Sequence, residues 1–201
     1  MNQLVDNPPV IEEDQARADW YALLARLWYA APDAQLLQQL ANADEAWSDG
    51  AGTPLAEAWA QLRKAAAVME PLAVRLEYDS VFVGTGKAEV TPYMAHYFPG
   101  TTGKEKILLR VRDQLDELGL ARTADKHEPE DHLAALCDVM RHLIQREPVT
   151  RQEAFFRAFL RPCWRKFLER AEASAQTHFY KRVARFNAAF FAIEEQAFDM
   201  M

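Results

Sequence analysis

Residues 128–146 read Glu-Pro-Glu-Asp-His-Leu-Ala-Ala-Leu-Cys-Asp-Val-Met-Arg-His-Leu-Ile-Gln-Arg. Leu133, Leu136, Cys137, Met140, Leu143 and Ile144 recur with the period of one face of an α-helix. Pro129 suits a first helical turn, where a missing N–H is no loss, and the acids beside it suit the positive end of the helix dipole. The pattern predicts a helix from about Glu128 to Arg146.

The same period extends in both directions. Upstream, Leu23, Leu24, Leu27, Trp28 and Ala31 follow an acidic first turn, Glu12-Glu13-Asp14, and Pro32-Asp33 breaks the run. A short helix is expected over 33–43. Thr53-Pro54 reads as an N-cap with proline at the first helical position, opening a helix to about Glu70. Pro71 restarts the chain into a helix carrying Leu72, Leu76, Val81 and Phe82 that ends at Gly84. Downstream, Lys104–Leu118 is helical and Gly119 stops it. Thr150 with Glu153 predicts a capping box. Behind it run Phe155, Phe156, Phe159, Leu160, Trp164, Phe167 and Leu168, with Arg157, Arg161 and Arg165 on the other face. Pro162 should kink that helix. Phe179, Val183, Phe186, Phe190 and Ile193 mark the last one. No alternating strand pattern of useful length occurs. The expected fold class is all-α: a single-domain bundle of about eight helices over 12–201, after a flexible N-terminus at 1–11.

Between the fourth and fifth helices the helical signal stops. Residues 84–103 hold Gly84, Gly86, Pro92, Pro99, Gly100 and Gly103 among Tyr93, His96, Tyr97 and Phe98. A loop of this length inside a compact domain is expected to be functional, and its aromatic rings argue against disorder.

With 201 residues, 50% hydrophobic and 26% charged, the chain can bury a sizeable core. Apolar runs such as Ala188–Ile193 are far shorter than the ~18–20 residues of a membrane span, so no stable membrane insertion is expected. The opening residues lack the basic and apolar regions of a secretory leader. Cys137 and Cys163 form neither a CxxC nor a disulfide framework. A cytoplasmic, reducing compartment is the expectation. The net charge of −7 opposes a nucleic-acid partner.

Catalytic and metal-binding patterns are missing. Neither Glu-x-x-His nor His-Glu-x-x-His occurs, so no metal, no cofactor and no enzymatic role are expected. Gly84-Thr85-Gly86-Lys87 is the one fragment from which a guanine-nucleotide switch could be argued. Val81 and Ala88 stand where a phosphate loop needs Gly and Ser/Thr. A nucleic-acid face would have to use Arg141–Arg185, where eleven Lys/Arg accompany four Glu. The opposite imbalance lies at Asp113–Asp131, with seven acids and two bases, and suits a wall for a cationic ligand.

Two segments concentrate recognition chemistry. Glu77-Tyr78-Asp79-Ser80-Val81-Phe82-Val83-Gly84, continuing to Pro92-Tyr93-Met94-Ala95-His96-Tyr97, joins a helix end to an aromatic loop. Tyrosine is rigid and amphipathic, which suits a peptide groove. Glu128-Pro129-Glu130-Asp131-His132 offers carboxylates beside an imidazole, suited to bidentate guanidinium binding.

Together these segments resemble the TorD/DmsD family, which includes the NarJ-type proteins. The first signature is an acidic-Tyr…Phe-x-Gly helix end followed by Pro-Tyr, here Glu77-Tyr78…Phe82-Val83-Gly84 and Pro92-Tyr93. The second is Glu-Pro-x-Asp-His, here Glu128 to His132. The chain departs from the usual family pattern at Ser80-Val81, Thr91 and Met94-Ala95. The resemblance implies a cytoplasmic maturation chaperone. Its partner would be the apo catalytic subunit of a molybdopterin oxidoreductase, bound through an N-terminal, often twin-arginine, leader until cofactor insertion and export. The molybdenum-cofactor insertion machinery would be a further partner. On this reading Glu128, Glu130 and Asp131 are the candidate acids for arginines, His132 orients Asp131 or donates to a peptide carbonyl, and Pro129 belongs to the same peptide-binding segment. Tyr78, Phe82, Pro92, Tyr93 and Tyr97 wall the groove.

Overall fold

The computed structural model describes residues 12–43, 52–100, 103–120 and 128–201. The flexible N-terminus expected at 1–11 lies outside them. Among these residues the α-helices are α1 (Glu12–Tyr29), α2 (Ala34–Asn42), α3 (Pro54–Val68), α4 (Pro71–Tyr78), α5 (Lys104–Glu117), α6 (Leu133–Arg146), α7 (Val149–Phe155), α8 (Trp164–Ala173) and α9 (Phe179–Asp199). No strand occurs among the described residues, only an isolated antiparallel bridge between Tyr93 and His132. The all-α expectation holds. Helix α1 packs along α6, while α3 and α8 pack on α9.

The caps follow the sequence where it is most specific. Asp33 accepts from the Leu36 N–H at 2.7 Å and opens α2. Thr53 accepts from the Ala56 N–H at 3.3 Å with Pro54 next in line. Gly119 takes φ +66° just past α5, the left-handed conformation that ends helices.

Three boundaries differ from expectation. Helix α6 starts at Leu133, not near Glu128, because the His132 Nδ1 caps it by accepting from the Ala134 N–H at 3.1 Å. Residues 128–132 form a turn whose backbone is committed to the loop at 92–95. Thr150 and Glu153 do not form a capping box: α7 opens one residue after Pro148, and Glu153 pairs with Arg157 at 2.8 Å. Pro162 breaks its helix instead of kinking it. A π-helical turn at Phe156–Leu160 precedes the break and α8 restarts at Trp164. The aromatic stripe survives the interruption, and all seven of its side chains are buried.

The core centres on Trp28. Its indole N–H donates to the Asn187 side-chain oxygen at 2.9 Å, and its ring meets Phe82, Phe167 and Tyr180 at 4.8–5.7 Å. Tyr21 and Arg17 both donate to the buried Glu194 carboxylate, the guanidinium by two bonds at 2.7 and 2.9 Å. Two tyrosines from elsewhere close the end of α1, where carbonyls have no intrahelical partner. The Tyr180 hydroxyl donates to Leu27 O at 3.0 Å, and the Tyr78 hydroxyl lies 3.0 and 2.8 Å from Trp28 O and Tyr29 O.

Helix α4 is oriented by polar groups. Glu77 is buried and accepts from the Phe179 and Tyr180 N–H groups at 3.0 and 2.7 Å, capping α9. With Glu77 and Tyr78 turned inward beside Val74, Val81 and Phe82, Leu72 and Leu76 are left facing solvent. The apolar spacing alone suggests the reverse for those two leucines.

Removing the Glu77 carboxylate strands two buried donors. Glu77→Ala is expected to lose about 2–4 kcal/mol of unfolding free energy in urea titration, and Glu77→Gln, which keeps one acceptor oxygen, about half of that. Equal stability of wild type and Glu77→Ala would show that α9 does not depend on this cap.

Candidate functional site

The two motifs meet. Antiparallel pairing at Tyr93 and His132 is held by the Met94 N–H donating to Asp131 O at 2.9 Å and the Leu133 N–H donating to Pro92 O at 3.0 Å. A third bond comes from the side chain: the Asp131 carboxylate accepts from the Ala95 N–H at 3.1 Å. The aromatic loop is therefore anchored to the entrance of α6.

Burial sorts the ten sequence-predicted site residues into two groups. Tyr78, Phe82, Pro92 and Tyr97 are buried. Tyr78 closes α1, Phe82 packs on Trp28, and the Tyr97 hydroxyl donates to Thr91 O at 2.8 Å while its ring meets Phe167. Burial pushes the Tyr97 phenol up to about 12. Asp131 and His132 are buried as well, at 5% and 3% exposure. These six shape the site from beneath. Glu128 is exposed and Tyr93, Pro129 and Glu130 are half-buried, so these four form its outer surface.

That surface is acidic and aromatic. The Tyr93 hydroxyl donates to the Glu128 carboxylate. Burial and this carboxylate together raise the Tyr93 phenol well above its ordinary value. The Tyr93 ring stands edge-on to the His132 imidazole at 5.3 Å. Glu130 accepts from the Arg112 guanidinium of α5 at 3.1 Å, so one carboxylate of the turn already holds an arginine. Burial raises the Asp131 carboxyl above its ordinary value, opposed by the Ala95 N–H. Its commitment to that donor gives it a positioning role in the loop.

Sequence reasoning missed Tyr29. It ends α1, is 42% exposed, and its ring lies 6.5 Å from His132. Its place just before the Pro32 break was the available signal, but only the packing of α1 on α6 brings it to the acidic turn.

The remaining motifs have structural uses. Gly84 adopts φ +66°, and a Cβ there would fall 2.5 Å from the Lys87 carbonyl oxygen, so this glycine serves a tight turn. Arg157 and Arg161 pair with Asp199, and Arg161 and Arg165 with Glu195, at 2.7–3.0 Å. That basic stripe is neutralised by the end of α9. Cys137 and Cys163 are buried and free, and burial pushes both thiols up, away from the reactive thiolate. No His/Cys/Asp/Glu cluster suited to a metal occurs among the described residues. Nor is any helix among them long and apolar enough to cross a membrane.

The sequence model of the nitrate reductase delta subunit family matches residues 48–171, well over half of the chain and both motifs. The chain belongs to this family. The NarJ-type proteins fall within the TorD/DmsD family that the motifs resemble, so the resemblance holds. The fold agrees with the crystal structure of a candidate redox enzyme maturation protein from Archaeoglobus fulgidus, at 20% identity and a TM-score of 0.57. That likeness spans 89% of this chain and 93% of the other. No curated protein matches the chain significantly.

Burial holds the His132 imidazole down at about 4, against an ordinary 6.5. Between those values the unfolded chain binds a proton that the folded chain refuses. Stability is therefore complete above the ordinary value and lost as pH falls toward 4. His132→Asn keeps a cap acceptor for Ala134 and removes the titration. Between pH 7 and 4.5, wild type is expected to lose roughly 2–3 kcal/mol more than the variant in urea unfolding. Equal losses in the two chains would place His132 elsewhere than in the buried cap.

Proposed function

We propose that the chain is a non-catalytic maturation chaperone of the redox enzyme class, binding the leader of a molybdopterin oxidoreductase catalytic subunit. Binding takes place in the cytoplasm and keeps the apoenzyme competent for cofactor insertion before export. Family membership and the fold shared with a candidate maturation protein support the class. The observation that carries the leader reading is the outer surface itself: Glu128, Tyr93 and Tyr29 converge on a turn in which Glu130 already receives a guanidinium.

The chemistry suits a cationic peptide. Tyrosine rings supply rigid amphipathic walls that a guanidinium can stack on, and a carboxylate beside them accepts charge-assisted hydrogen bonds. Glu128 is itself exposed, so the half-buried Tyr93 bonded to it matters here, because an ion pair in open solvent contributes little. Of the acids in the motif, Glu128 is the one proposed to meet the incoming arginine. Glu130 positions the turn through Arg112, and Asp131 positions the loop through Ala95.

Titration calorimetry with a synthetic leader peptide carrying an arginine pair ahead of an apolar stretch tests this. Glu128→Gln, which still accepts from Tyr93, is expected to weaken binding by about tenfold. Replacing the peptide arginines with alanine should cost wild type the same factor and the variant nothing further. Unchanged affinity in Glu128→Gln would remove the acidic turn from the leader site.

A further inference from the structure

Helix α4 joins two surfaces of opposite charge. Its far end carries Tyr78, whose hydroxyl is bonded to Tyr29 O at the acidic, aromatic surface. Its near end begins two residues after Met69, which lines an open cleft of about 440 Å³ between the end of α3 and the start of α9. Lys64, His178 and Arg182 surround that cleft, and Ala65, Val68 and Met69 give it an apolar floor. No acidic side chain lines it. None of its three basic side chains forms an ion pair with a carboxylate among the described residues. Arg182 donates only to the His178 backbone carbonyl, at 2.6 Å. An uncompensated basic cleft is notable on a chain of net charge −7.

Between the two ends lies exposed apolar surface. Leu72 and Leu76, one turn apart on α4, are 67% and 60% exposed, Val83 beyond it is 57% exposed, and Val68 at the cleft is 78% exposed. Leu72 and Leu76 lie on one face of α4, and Val83 follows at the end of a π-helical turn, Asp79–Val83. Contiguous exposed apolar side chains rimmed by charge mark interaction surfaces. The orientation of α4 is enforced by Glu77 and Tyr78, so its exposed apolar face is a fixed feature of the fold.

We infer that the cleft at Lys64, His178 and Arg182 is a second docking point for the client polypeptide, taking an acidic segment that follows an apolar one laid along α4. The inference rests on the leader reading for the cationic end of that polypeptide and adds its polarity: positive at the Glu128 turn, apolar along Leu76 and Leu72, negative at the cleft. Charge complementarity chooses an acidic occupant. The length of α4, about 12 Å, sets the spacing. The partner's basic and acidic groups are separated by about eight residues if that segment is helical, or by about four if it is extended.

Fluorescence anisotropy with two labelled peptides tests this. The first carries two arginines, eight alanine and leucine residues, then two glutamates; the second replaces the glutamates with glutamines. Wild type is expected to bind the first about tenfold more tightly. The double variant Lys64→Glu/Arg182→Glu should abolish that preference while leaving affinity for the glutamine peptide unchanged. The milder pair Lys64→Gln/Arg182→Gln should reduce it to an intermediate value at unchanged circular dichroism. Glu128→Gln should weaken both peptides alike. If wild type binds the two peptides equally, or binds neither, or if charge reversal weakens both by the same factor, the cleft is not a docking point for acidic segments. A preference that persists while Glu128→Gln has no effect overturns the leader site and leaves the cleft standing.

Discussion

The aromatic loop reaches its place by borrowing the backbone of the turn before α6. Residues 92–94 pair with residues 131–133, and the Asp131 carboxylate holds the next N–H, that of Ala95. A long loop has few ways to satisfy its peptide groups once it is folded against a helical core, because helices offer none in mid-span. The turn before α6 and the unpaired N–H of the helix's first residue do offer them, and the loop uses them. Everything at the candidate site follows from this pairing. It sets Tyr93 against His132, brings the Tyr93 hydroxyl to Glu128, and excludes water from Asp131. The late start of α6 belongs to the same bargain, since His132 can cap the helix only if residues 128–132 stay non-helical.

A second constraint comes from helix ends. The end of α1 and the start of α9 meet inside the protein, where stranded carbonyls and N–H groups have no water to turn to. Side chains of α4 meet both needs, Tyr78 at α1 and Glu77 at α9, helped by Tyr180. Those polar duties fix the rotation of α4 and push its two leucines outward. An apparent violation of hydrophobic patterning is thus the consequence of a satisfied interior. Glu77 and Tyr78, both within the first motif, carry the architecture, and the surface that their orientation exposes is apolar.

The helical segments, their proline and glycine boundaries, and the aromatic stripe of α7 and α8 were legible because each depends on neighbours in sequence. Asp33, Thr53-Pro54 and Gly119 behave as local chemistry demands. The failures were of another kind. Thr150 and Glu153 have the right spacing for a capping box, but Pro148 starts the helix earlier and Arg157 takes the glutamate. The helical acids expected at Glu128 to Asp131 became a turn because a distant loop needed their backbone. At the candidate site, the pattern identified both segments that the fold brings together, yet it could not separate Glu128, which is exposed, from Asp131, three residues away and buried.

Composition and periodicity alone determined an all-helical chain with one aromatic loop and an acidic stretch opening a strongly amphipathic helix, while two short motifs carried the family resemblance. Tertiary structure decided which of those motif residues reach solvent, that Tyr29 joins them, and that α4 shows its apolar side. The reason is physical. Periodicity reports how a residue relates to its own helix axis, whereas exposure depends on which other element has claims on its polar groups. In this chain those claims, Glu77 on α9, Tyr78 on α1 and Asp131 on the loop, come from partners tens of residues away.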